Sequence, residues 1–135
     1  MHIEDIREAM RRAVDGDLVA TKLLSSVPHE ELLAAARDRS PFVVRAPAVL
    51  RVLAALRKDA SLFPLARDWA NFVSLGEFPE AQPASPRRAE IDIEFDPPYQ
   101  GEIASVVAPL SRWGESRFDS ITNDQLDRMA ASLTN

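Results

Sequence analysis

The sequence contains no Cys, which removes disulfides, thiolate metal sites and a cysteine nucleophile together. Its 2 His residues, His2 and His29, have no surrounding Asp or Glu arrangement that reads as a metal site, and both are expected at the surface. General acid–base work needs an oriented partner and a pocket, which neither imidazole has in the sequence pattern. With only 4 Gly there is no glycine-rich phosphate loop. No apolar run approaches the roughly 18 residues of a membrane span. Glu4, Asp5, Arg7 and Glu8 interrupt the first ten residues, so no signal-peptide core is expected there. These absences predict a soluble cytoplasmic protein with no enzymatic activity, no cofactor, no metal and no membrane or nucleic-acid partner.

What is present is an ordinary globular balance. Hydrophobic residues are 46% and charged residues 27% of 135, enough for one core at the commonest domain size. Residues 1–135 are therefore expected to form a single domain. The net charge of -5 is unevenly spread: residues 1–75 carry 11 Lys or Arg against 10 Asp or Glu, and residues 76–135 carry 5 against 11. An acidic second half disfavours nucleic acid and favours a basic protein partner through electrostatic steering.

Helical spacing dominates the first half. Ile3, Ile6, Met10, Ala13 and Val14 predict an amphipathic helix over about 2–15, stopped by Gly16. Asp17 is placed to cap a second helix carrying Leu18, Val19, Leu23 and Leu24. Pro28 suits the first turn of a third helix, which Glu30 and Glu31 favour electrostatically and which reaches about Arg39. After Ser40 and Pro41 a short turn is expected, then a central helix with Val49, Leu50, Val52, Leu53 and Leu56 on its apolar face. Ser61 is the expected cap of the next, whose stripe is Leu62, Leu65, Trp69, Phe72 and Val73, closed by Gly76. Residues 77–90 hold Pro79, Pro83 and Pro86 without apolar periodicity and read as an internal surface loop. Tyr99, Ile103, Val106, Val107 and Leu110 return to helical spacing, with Pro109 predicting a kink or early end. Thr122 and Gln125 have capping-box spacing ahead of Leu126, Met129 and Leu133. The fold class is mainly α: a multi-helix bundle or short stacked helical array.

One segment departs from that period. Ile91, Ile93 and Phe95 alternate with Glu90, Asp92, Glu94 and Asp96, the two-residue repeat of an extended strand with one buried and one acidic face. A calcium loop counted from Asp92 fails, since Pro97 and Ile103 occupy the positions that need Gly and Glu. The acidic ladder reads either as a solvated face or as an edge meeting Lys or Arg of a partner. Trp69, inside an apolar stripe, is expected in the core; Trp113 and Tyr99, near helix ends, are candidate interface anchors. Arg45, Arg51 and Arg57 read as solvated helix rims.

The run Trp69-Ala70-Asn71-Phe72-Val73 with Gly76, then Ile91-Asp92-Ile93-Glu94-Phe95-Asp96, Ile103, Leu110 and Gly114, resembles small helical immunity proteins of bacterial polymorphic-toxin systems. The likeness covers the C-terminal half. The family's pattern has a Gly-Asp pair before an Asp-Gly turn, where this chain has Gly114-Glu115 and Asp119-Ser120. The resemblance implies a non-catalytic protein that neutralises a cognate toxin domain by covering a basic face. The expected partner-binding residues are Glu90, Asp92, Glu94 and Asp96, with Glu102, Glu115 and Asp119 further out and Tyr99 or Trp113 as anchors. Two other readings stand beside it: a structural or regulatory adaptor acting through a helix groove or homodimer, and a metal-dependent or small-molecule enzyme, which needs a polar pocket.

Overall fold

Helix signals in the sequence translate into helices wherever a cap or a stop accompanies the apolar spacing. The computed structural model describes residues 2–37, 41–78, 90–115 and 121–134. Among them are α1 (Ile3–Val14), α2 (Leu18–Ser25), α3 (His29–Ala36), α4 (Ala46–Lys58), α5 (Phe63–Leu75), α6 (Gln100–Ser111) and α7 (Asn123–Ser132), with two short strands, β1 (Phe42–Val44) and β2 (Ile93–Phe95). The protein is thus mainly helical, as its periodicity predicts. Asp17 caps α2 by accepting hydrogen bonds from the amides of Val19 and Ala20 at 3.0 and 3.2 Å. Thr122 and Gln125 form the reciprocal capping box of α7. Both devices satisfy amides that a helix start leaves without an intrahelical partner.

α5 lies between α2 and α6, while α4 packs on α5, α6 and α7. The expected central role of α4 is therefore shared with α5. Trp69 of α5 is fully buried, and its indole Nε1 donates to the carbonyl oxygen of Ala13 at 2.7 Å. That bond joins α5 to the last turn of α1, where carbonyls lack intrahelical donors. Met10, Leu24, Leu56, Phe72, Ile103 and Leu126 complete one continuous core.

Several local expectations are corrected. His29 is buried rather than at the surface, because its position in the first turn of α3 places it on the face that also buries Leu32 and Ala36. Ser61 does not cap α5, which has no side-chain cap; Asp59 caps the short 3-10 turn Ala60–Leu62 that leads into it, its carboxylate accepting from the Ser61 amide at 3.0 Å and hydroxyl at 2.6 Å. α3 ends at Ala36 rather than near Arg39. Of the four large apolar residues that α2 carries, Leu18 and Leu24 are buried, while Val19 and Leu23 are 67% and 46% exposed. Phe78, at the start of the expected surface loop, stacks on Phe72 with ring centroids 4.6 Å apart; residues 79–89 lie outside the described ones.

The short turn expected after Pro41 is instead strand β1. It pairs with β2 in parallel, with Phe42 opposite Ile93, Val43 opposite Glu94 and Val44 opposite Phe95. Parallel strands need a long crossover, which α4 and α5 provide. The second strand is anchored where α5 ends. Gly76 adopts a left-handed conformation, φ 71°, and its carbonyl accepts from the Ile91 amide at 2.9 Å. A Cβ at Gly76 would sit 2.3 Å from the Ile91 carbonyl oxygen, so only glycine allows this approach.

Candidate protein-binding site

Alternation along residues 90–96 does what period two requires. Ile91 is buried, and Ile93 and Phe95 are half-buried against the core, whereas Glu90, Asp92 and Glu94 are exposed. Asp96 is half-buried, and its amide donates to the Val44 carbonyl while its own carbonyl accepts from the Tyr99 amide, each at 2.9 Å. Among the described residues none of these carboxylates takes part in an ion pair; the pairs present are Glu4 with Arg7, Glu8 and Asp15 with Arg11, Asp17 with Arg12, Asp68 with Arg67, and Asp127 with Arg57. Arg45, Arg51 and Arg57 are all exposed, and Arg57 also pairs with Asp127 of α7.

A cleft of about 420 Å³ runs beside the strand. It is lined by Val73 and Ser74 at the end of α5, by Ile93, Glu94 and Phe95 of β2, and by Pro97 and Gln100 at the entrance to α6. The lining residues outside β2 have no distinguishing signal in the sequence. Val73 and Ser74 become neighbours of the ladder because Gly76 brings the end of α5 onto Ile91, whereas Pro97 and Gln100 follow β2 directly in the chain.

The structure gathers some of the expected site residues and separates others. Glu90, Asp92, Glu94 and Asp96 lie on one strand segment, and half-buried Tyr99 and exposed Glu102 follow at the start of α6. Glu102 also complements the positive end of that helix. Trp113 and Glu115 lie past the other end of α6, which is 12 residues long, hence about 18 Å away along its axis. Trp113 is already engaged within the chain. It stacks on Phe63 at 5.7 Å and 12°, with the Arg67 guanidinium 5.9 Å from its ring centroid. Asp119 lies outside the described residues.

Among the described residues no group of three His, Cys, Asp or Glu side chains is placed to hold a metal ion, and no helix is long and apolar enough to cross a membrane. Comparison with protein-family models, curated proteins and solved structures finds no match to this chain.

Proposed function

We propose that the protein is a non-catalytic binding domain, an immunity protein that neutralises a cognate bacterial toxin by covering a basic face of it. The observation that carries this reading is the row Glu90, Asp92 and Glu94: exposed, on a strand fixed from behind by the core, and without an ion-pair partner among the described residues. Carboxylates left unpaired on a rigid support keep a field that reaches into solvent, which accelerates encounter with a basic surface and selects against acidic ones. A toxin that acts on nucleic acid carries such a basic surface.

The test is co-purification and association kinetics with the product of the adjacent gene, comparing the natural protein with the double variant Asp92→Lys/Glu94→Lys. Association of the variant should slow by about tenfold or more and lose most of its salt dependence, because the steering charge is reversed. Unchanged binding and unchanged protection of cells from the toxin would sink the site assignment.

A second reading has its own observation. Val19 and Leu23 stand one turn apart on α2 and are both exposed, an apolar pair of the kind an adaptor or homodimer uses. Light scattering decides it: concentration-dependent self-association abolished by Val19→Glu/Leu23→Glu favours this reading, and a monomer at all concentrations removes the homodimer.

A further inference from the structure

Among the described residues, the pairing of β1 with β2 leaves the backbone polar groups of Ile93 and Phe95 without a hydrogen bond. Phe42 N–H donates to the Asp92 carbonyl and Asp96 N–H to the Val44 carbonyl, both at 2.9 Å. With Val43 opposite Glu94, the parallel ladder engages the polar backbone groups of Glu94 as well. The N–H and C=O of Ile93 and Phe95 therefore point away from β1, and no hydrogen bond among the described residues uses them. They border the cleft lined by Val73, Ser74, Pro97 and Gln100.

The geometry and charge define what fits there. An open strand edge is matched by another extended backbone, which supplies the missing donors and acceptors. A strand laid along this edge alternates its side chains between the two faces of the sheet. One set falls beside Asp92 and Glu94 and calls for Lys or Arg; the other falls beside Ile93 and Phe95 and calls for apolar residues. A second copy of this chain is disfavoured, since its own β2 would set carboxylates against Asp92 and Glu94. We infer that the outer edge of β2 captures an extended segment of the partner, with alternating basic and apolar residues, as a third strand. This rests on the reading of the acidic segment as a protein-binding surface, and adds to it a backbone mode of recognition.

Three synthetic peptides of about seven residues, the length of an ordinary strand, test it: alternating Lys and Val, the same peptide N-methylated at the alternate amides that would face β2, and the same composition with Lys and Val in two blocks. Binding is read by fluorescence anisotropy at low salt, and amide hydrogen exchange of Ile93 and Phe95 by NMR. The alternating peptide should bind about tenfold or more tightly than either control and slow exchange at both amides by a similar factor, as the loss of one or two hydrogen bonds implies. Equal affinity for all three peptides, unchanged exchange, or no binding of the alternating peptide overturns the inference. Equal affinity that disappears in Asp92→Lys/Glu94→Lys overturns the backbone mode while leaving the acidic surface in place. Failure of the parent reading looks different: charge reversal leaves capture of the natural partner unaltered.

Discussion

The two flanks of the small sheet use charge in opposite ways. Beside β1, α1 lays Glu4, Arg7, Glu8 and Arg11 along a cleft of about 330 Å³ that reaches Phe42. Each carboxylate there has its guanidinium, Glu4 with Arg7 and Glu8 with Arg11. Beside β2 the cleft is of comparable size, but Glu94 has no cation paired with it among the described residues. Adjacent opposite charges cancel within a few ångströms, whereas unpaired ones are felt to about a Debye length, ~8 Å at physiological salt. The first flank is therefore electrically closed. Among the described residues, only the second flank offers a partner both a field and an unpaired backbone edge.

The largest test of that comparison is Trp69→Ala, because Trp69 belongs to the helix behind β2 and bonds to the helix beside β1. Removing a fully buried indole should cost about 3–5 kcal/mol, with both flanks losing protection together in denaturant titration and hydrogen exchange. Trp113→Ala provides the contrast. Its ring is half-buried and stacks on Phe63 near the far end of α6, so about 1 kcal/mol is expected, with the β2 edge unaffected. Equal costs for the two would mean that Trp69 does not hold the flanks together.

Gly76→Ala acts on one flank only. The added methyl meets the Ile91 carbonyl at 2.3 Å, in a backbone conformation with φ 71°, and backbone cannot swing aside as a side-chain tip can. A cost of about 1–3 kcal/mol is expected. The diagnostic is its distribution: amides of residues 91–96 should exchange faster, while those of α1 change only as much as global stability does. Uniform acceleration would show that the acidic strand has no separate anchor.

Which parts of this arrangement the sequence announces follows from the range of the interactions. The spacing of Ile6, Met10 and Ala13, the Asp17 cap and the Thr122–Gln125 box are local, so they are legible before any fold is known. Burial of His29 was also within reach, since Leu32 and Ala36 repeat on its face at helical spacing. In α2 the apolar residues run nearly around the helix, so spacing alone cannot select Val19 and Leu23 as the exposed pair. β1 is illegible for another reason: three residues between Pro41 and Arg45 carry too short a pattern, and their partner comes only after two helices. Of the site, the alternation at residues 90–96 is readable, and so is the distance to Trp113 and Glu115, which follows from the length of α6; the approach of Val73 and Ser74 is not, since it depends on how α5 packs against β2.

The smallest expected effect belongs to the closed flank. The hydrogen bond from Arg11 holds the Glu8 carboxyl below its ordinary range, with the nearby charges of Arg11 and Arg12 adding to it. A depressed folded-state pKa contributes stability that is fully present above the unfolded value, about 4.3 for Glu, and is lost as pH falls through the lower folded value. Glu8→Gln should therefore lower the urea midpoint slightly at pH 7 and leave it nearly unchanged at pH 2.5, with a smaller shift than Gly76→Ala at any pH. Because Glu8 is exposed, added salt should shrink the pH 7 difference as screening weakens the pair. A pH 7 difference that survives in 1 M salt would mean that Glu8 contributes through packing against the β1 flank rather than through charge, and the two flanks would then differ less than their ion pairs indicate.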